Sequence, residues 1–422
     1  MAAAGSVPRV STAVTRVAAA AEPGGGAARA GRRWMPVVVA LGSLLALWRG
    51  WDRLTEPAFW GEDGSVFVKA AREDGVSSLL RTYAGCLHLL PRLAALGLRP
   101  LPLAWQPGLY AAVGLAAGAA VCALALSDRL AWLLPAPWQR MVLFAALLVA
   151  PGRDEVTGNL ANLIFLAPVG LLLLGLCRDP AGRRGRWAEL GGAAVLGLGG
   201  VLALMVVPVF AARAARLRSR HSSLLAVLVT ATGVLQTGLL LADPRAGDRT
   251  GSPGVVVSFL HHRLLPAWLV GDTGWQQAWA RHPILLALGC AALVVLLVAA
   301  ALAVPSRPTA VALLGTLLLA SVAAGLAYRR LWHLPVAQRH LVLPLAVVTV
   351  LVVGALGARP AVLRAAAGVA LLASLVLAVP ADWRLTRWPA LPVGPTAACL
   401  AEGPAPCPLP VNATPHPVIL TR

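Results

Sequence analysis

The sequence predicts an all-α, polytopic transmembrane helix bundle, and three observations predict it. Hydrophobic residues fill 58% of the 422 positions and charged residues only 13%, about half the charge of a soluble domain. The mean hydropathy is +0.75. Long apolar runs recur along the chain, divided by short segments rich in arginine or proline. Soluble domains adding up to this length would need far more polar surface. A soluble enzyme, a disordered chain and a secreted disulfide scaffold are therefore excluded.

The net charge of +19 would suit a nucleic-acid partner, but its distribution argues against one. Of 36 basic residues only Lys69 is lysine, and the arginines fall between apolar runs, where the positive-inside rule puts them. The expected partners are membrane lipid and no nucleic acid. The Ala-, Arg-, Gly- and Pro-rich composition points to a bacterial plasma membrane. The six cysteines show no CxxC spacing, which excludes the usual zinc and thioredoxin-type motifs.

Taken in order, residues 1–33 read as a disordered cytoplasmic tail ending in the Arg32-Arg33 anchor. A spanning helix needs about 20 apolar residues. Eleven segments are read, at 34–51, 105–127, 139–151, 160–177, 188–198, 201–212, 222–242, 283–303, 309–327, 341–356 and 361–380. The stretch 188–212 has arginines on both flanks and Gly199-Gly200 in its middle. Two short helices forming a hairpin keep both flanks on one side, and one straight span does not. About eleven membrane segments put the N-terminus in the cytoplasm and the C-terminal tail, 381–422, outside.

The outside loops hold most of the polar chemistry. The first, 52–104, carries Glu62-Asp63 in a Gly-flanked turn, then an amphipathic stretch at 65–80 expected to lie along the membrane surface. An interrupted apolar stretch beginning Tyr83-Ala84-Gly85-Cys86-Leu87-His88-Leu89-Leu90-Pro91-Arg92 follows, read as re-entrant or interfacial. One carboxylate of an adjacent pair can accept a proton as a general base, with its pKa raised by its neighbour. The other can orient an acceptor or hold a divalent cation. A solvated turn is the bland alternative, and Glu73-Asp74 is left with it.

In the second outside loop, Glu155, Asn159 and Asn162 are spaced to share one helix face. That face suits sugar hydroxyls or a metal, or hydrogen bonding between helices. His261-His262 with Trp268, Trp275 and Trp279 reads as membrane-interface aromatics. Cys399 and Cys407, eight residues apart in a Pro-rich outside tail, are expected to form a disulfide, free thiols being rarer in oxidising surroundings.

An inside N-terminus, one span, the acidic pair Glu62-Asp63, a surface helix and a bundle of further spans resemble the GT-C superfamily of membrane glycosyltransferases. The run from Tyr83 to Arg92, with Glu62-Asp63, also resembles poorly characterised bacterial multispanning proteins placed near that superfamily. The resemblance implies transfer of a sugar from a polyprenyl-phosphate donor to a glycan or lipid acceptor of the cell envelope. It implies a catalytic base at Glu62 or Asp63 and a second acidic residue at Glu155, and draws His88 and Arg92 into the substrate site. Arg339 in Gln338-Arg339-His340-Leu341 matches an arginine that meets the lipid phosphate, and His340 departs from the tyrosine that follows it in the family. Arginine suits a phosphate by bidentate hydrogen bonding.

Two rival readings remain. The spans 283–303, 309–327 and 341–356 carry no charged residue, which argues against a proton-coupled carrier but leaves a lipid or glycan flippase. A non-catalytic envelope-assembly protein is the third.

Overall fold

The computed structural model describes residues 25–243, 253–327, 338–389, 391–402, 406–412 and 418–420. The tail expected at 1–33 lies outside the described residues up to position 24.

Helix follows helix along the chain. α1 (Gly25–Arg49) leads into the short α2 (Trp51–Thr55). A π-helical turn at Asp63–Val68 runs into α3 (Lys69–Glu73), and a 3-10 turn at Gly75–Leu80 follows. α4 (Leu89–Leu98) completes the first loop. α5 (Gln106–Ala123), α6 (Pro137–Val149) and α7 (Leu163–Leu176) begin the main bundle. α8 (Arg183–Gly197), α9 (Val207–Leu217) and α10 (Arg220–Ala242) continue it. Three short helices come next, α11 (Pro253–Phe259), α12 (Leu265–Val270) and α13 (Trp275–Arg281). α14 (Pro283–Leu302), α15 (Arg307–Ala327), α16 (Val342–Ala355) and α17 (Ala361–Ala381) close the bundle. The tail holds α18 (Gly394–Glu402) and a small antiparallel pair, β1 (Cys407–Leu409) with β2 (Val418–Leu420).

Six stretches are long and apolar enough to cross a membrane: Leu103–Leu126, Arg220–Ala242, Pro283–Leu302, Arg307–Gly325, Gln338–Ala355 and Ala361–Ala381. The chain is a multi-pass membrane protein on that ground. The other five expected segments fall on shorter helices, namely Trp34–Arg49, Pro137–Val149, Leu163–Leu176, α8 and α9. A helix of 14 residues such as α7 rises about 21 Å, against a hydrocarbon core of about 30 Å. α6, α7, α8 and α9 fall short of a full crossing by length, and the six long stretches establish several passes without fixing their number at eleven.

Burial explains how short helices persist in such a bundle. α7 is enclosed, with Leu171, Leu172 and Leu173 fully buried. α16 is enclosed as well, through Val347, Val348, Val352 and Val353. α17 faces outwards, exposing Val362, Val369, Leu372 and Val376. Lipid tails are as apolar as leucine, so an outward apolar face is stable in a bilayer.

α8 and α9 fold back on one another. Arg213 of α9 reaches Glu189 of α8 at 2.9 Å and Asp179, ahead of α8, at 2.8 Å. His221 Nε2 lies 2.8 Å from Glu189, and Arg129 also donates to that carboxylate. Both arginine-rich flanks therefore lie at one end of the bundle. At the turn between them, Gln236 of α10 donates to Leu198 O at 2.7 Å and accepts from Leu87 N at 3.2 Å. The first loop is thus tied to the hairpin tip.

The amphipathic stretch expected at 65–80 is not one continuous helix. It changes helical type at Lys69 and breaks at Gly75. Phe67, Val68, Ala70 and Ala71 pack into the protein, while Val76 and Leu80 stay exposed.

Candidate functional site

Asp63 opens the π-helical turn and is 3% exposed. It accepts a hydrogen bond from the Ala161 backbone amide, which joins the first loop to the second. Its Oδ1 is buried without a partner. Burial first, then the adjacent Glu62 charge, pushes the Asp63 carboxyl well above the usual aspartate range, against the pull of the Ala161 amide. Tyr110 of α5 is an electrostatic neighbour of Asp63, and its buried hydroxyl also lacks a partner. Both oxygens are buried orphans, and each carries a desolvation cost. Glu62 is half-buried and makes no ion pair among the described residues.

The second loop differs from expectation. Residues 151–162 form turns, and α7 begins only at Leu163. Gly152 and Gly158 have φ of 70° and 69°, a left-handed geometry that stops a helix and that glycine adopts freely. Glu155, Asn159 and Asn162 therefore share no helix face, and their order comes from hydrogen bonds. Asn162 Nδ2 donates to Glu155 O at 2.9 Å, and Asn162 N meets Asn159 Oδ1 at 3.4 Å. Asn159 is fully buried and Asn162 nearly so.

Arg339 reaches the same loop. Its Nη1 lies 3.4 Å from Glu155 Oε1, and its backbone N–H points to Glu155 Oε2 at 3.3 Å. The Arg339 guanidinium and the His340 ring both lie against Phe165. A continuous polar chain thus runs from Asp63 through Ala161, Asn162 and Glu155 to Arg339.

His88 and Arg92 stand apart from that chain. His88 Nδ1 donates to Cys86 O at 3.1 Å, and Arg92 Nε donates to Leu87 O at 2.8 Å. Both lie against Phe67, and His88 also meets Tyr83. Burial pushes the His88 imidazole down to about 4, so it is neutral at pH 7. These two residues shape the first loop rather than join the polar chain.

Sequence reasoning missed the residues that hold the loops together. Asp382, at the end of α17, accepts from Gly152 N at 3.0 Å, Asp272 N at 2.8 Å, Thr273 N at 3.0 Å and Thr273 Oγ1 at 2.8 Å. Its carbonyl accepts from Arg49 Nη2 at 2.9 Å. Asp272 is itself paired with the buried Arg263 at 2.9 Å. Asp154 pairs with Arg53 at 3.3 Å and accepts from Thr386 N and Oγ1 at 2.7 and 2.6 Å. Three connections, from α1, the second loop and the 271–274 turn, therefore converge on the segment after α17. The one available signal was a lone acid at the end of an apolar run, and that also describes an interface anchor.

The tail covers the acidic loop. The Arg53 guanidinium sits 3.4 Å from the centre of the Trp388 ring, and Trp388 meets Trp60 at 4.9 Å. Asn412 N donates to Phe59 O at 2.9 Å. Val411 packs so close over Gly64 that a Cβ there would collide with it. Cys399 and Cys407 form a disulfide, which ties α18 to β1.

Arg49 and Arg153 are buried neighbours. Arg49 donates to the carbonyls of Leu148, Ala150 and Asp382, and Arg153 to that of Leu147 and to Cys122 Sγ. Neither meets a carboxylate side chain among the described residues, and the Nε of each has no partner. They line a narrow pocket with Thr157 and Gly158. That pocket shares Ala46, Leu115 and Ala119 with an apolar groove of about 360 Å³ between α1, α5 and Phe144.

Among the described residues, no three His, Cys, Asp or Glu side chains group closely enough to hold a metal ion. His261 and His262 pack on each other and on Trp279 instead, and Trp279 Nε1 donates to His262 O at 3.2 Å. Comparison with known protein families, with characterised proteins and with solved structures finds no match.

Proposed function

We propose that this chain is a membrane glycosyltransferase of the GT-C kind. It transfers a sugar from a polyprenyl-phosphate donor to a hydroxyl of a cell-envelope acceptor, at the extracytoplasmic face. The observation that carries the reading is one loop, 151–162, that touches two complementary groups. Its Ala161 amide meets a buried carboxylate with a free oxygen, and its Arg153 lies with the buried Arg49 beside an apolar groove.

The groove has the chemistry of a prenyl chain, and the arginines have that of its phosphate. Asp63 is the base in this scheme. Its raised pKa makes its carboxylate a stronger proton acceptor than an ordinary aspartate, and Glu62 helps to keep it raised. The acceptor hydroxyl gives its proton to Asp63, and its oxygen bonds to the anomeric carbon. The bond from that carbon to the phosphate oxygen breaks, and the phosphate leaves with the electron pair. Arg49 and Arg153 stabilise the departing charge. Arg339 is already engaged by Glu155, so in this scheme it orders the second loop and the phosphate falls to the other two. Glu155, Asn159 and Asn162 set the shape of the sugar pocket.

The test is a transfer assay. Purified protein in lipid is given a labelled polyprenyl-phosphate sugar and a membrane extract as acceptor source, beside a Glu62→Gln/Asp63→Asn variant. Label in an acceptor, or donor hydrolysis that the variant lacks, is the expected result. Donor binding without turnover in either protein would overturn the transferase reading in favour of a flippase or an assembly protein.

A further inference from the structure

The end of the bundle opposite Asp63 carries a second groove, distinct from the one proposed for the donor. It has a volume of about 1200 Å³ and lies between the last turns of α14 and the first turns of α17. Val295, Ala299 and Leu302 form one wall, and Val362 and Ala366 form the other. Val295, Leu302 and Val362 are each more than two-thirds exposed. An open apolar cleft this large is costly in water, but in a bilayer it matches a hydrocarbon chain.

The mouth of the cleft has one sign of charge. Arg359 lines it. Arg307 begins α15 two residues after Pro305, which also lines the cleft. Arg364 lies one turn into α17 and donates to the carbonyls of Ala358 and Arg359 at 3.0 and 2.9 Å. No acidic residue occurs in the sequence from 273 to 381. Among the described residues, the acids that lie at this end are already paired: Asp128 with Arg140, Asp179 with Arg213, and Glu189 with Arg213 and Arg129. Among the described residues, the cationic mouth therefore has no carboxylate as counter-charge.

We propose that this cleft is a binding site for an anionic phospholipid, with an acyl chain between α14 and α17 and the headgroup phosphate at Arg359 and Arg307. Guanidinium groups pair with phosphate oxygens through paired N–H donors. A zwitterionic lipid offers the same chain but no net charge, so the arginines supply the selection. Arg364 holds the turn before α17 and thereby sets the position of Arg359. The site does not depend on the transferase reading.

The experiment uses the full chain in mild detergent with equal amounts of phosphatidylglycerol and phosphatidylcholine of identical acyl chains. Native mass spectrometry counts the retained lipid of each kind. Preferential retention of one phosphatidylglycerol is expected. Arg359→Gln and Arg307→Gln each reduce the preference about fivefold, the size of one arginine's attraction to an anionic lipid surface. Ala299→Phe puts a ring between the two walls, where the acyl chain would lie, and reduces retention of the bound lipid. Gel filtration and thermal unfolding verify that each variant is folded. Equal retention of the two lipids by the native chain would overturn the proposal. So would unchanged selectivity in the folded arginine variants, or unchanged retention in folded Ala299→Phe.

Discussion

Replacing Asp382 by asparagine tests whether the segment after α17 ties the loops together. The native carboxylate uses Oδ2 for the amides of Gly152 and Asp272 and Oδ1 for the amide and hydroxyl of Thr273. An asparagine keeps one of these oxygens. With its NH₂ towards Thr273, the hydroxyl can rotate to accept, and only the Thr273 amide loses its partner. In the other orientation two amides lose theirs. A hydrogen bond to a charged group contributes about 1.5–3 kcal/mol. The favoured orientation therefore costs about 2–4 kcal/mol, including the donor-to-donor contact. Alanine removes all four acceptor contacts and costs at least about 4 kcal/mol, the range of a broken buried network. Equilibrium unfolding in mixed micelles measures both, with the fluorescence of nearby Trp383 and Trp388 as a local signal. If both variants stay within about 0.5 kcal/mol of the native protein, as surface changes do, the convergence on Asp382 has no energetic meaning.

Other expectations follow from the same site. Asp63 has a folded pKa above its unfolded one, so its contribution to stability is complete below the ordinary aspartate value and is lost as pH rises through the folded value. Asp63→Asn should remove that loss, giving a flatter stability profile from pH 5 to 9 in unfolding titrations, while transfer falls about 10²- to 10⁴-fold with the base gone. Glu62→Gln removes the like charge that helps to raise Asp63, so the acid limb of the pH–rate profile should move to lower pH with most activity kept. Arg49→Gln and Arg153→Gln should each weaken donor binding about 10- to 100-fold, the size of a lost charge-assisted hydrogen bond, measured by titration with labelled lipid. An unchanged affinity in both would remove the phosphate from this pocket.

Legibility from sequence followed the range of the interaction. The disulfide between Cys399 and Cys407 closes eight residues, and its spacing and surroundings were enough to expect it. The return of α8 and α9 was legible because arginine-rich flanks on both sides ask for the same end. The Glu155–Arg339 pair joins residues that the family resemblance had singled out separately, yet the pairing itself spans 184 positions and left no local mark. The expected helix face at 155–162 failed for a local reason, since Gly152 and Gly158 take left-handed geometry and turn the chain. The roles of Asp382, Arg49 and Asp154 were not legible. Each is a single charge near the end of an apolar run, and only the three-dimensional meeting of those ends gives it a partner. Segment length also misled, because enclosed helices such as α7 and α16 can be short or irregular without facing lipid.

The bond from Arg49 to the Asp382 carbonyl joins residues 333 positions apart. Synthesis proceeds at about 5–20 residues per second, so the arginine emerges from the ribosome roughly a quarter of a minute to a minute before its acceptor exists. Through that interval the loop bearing Glu62 and Asp63 is already made, while α16, the enclosed helix at the centre of the bundle, is still to come. Assembly therefore closes from later-made residues onto earlier-made ones. A ribosome that stalls before Val342 leaves a nascent bundle with its acidic loop unclasped and its centre unfilled.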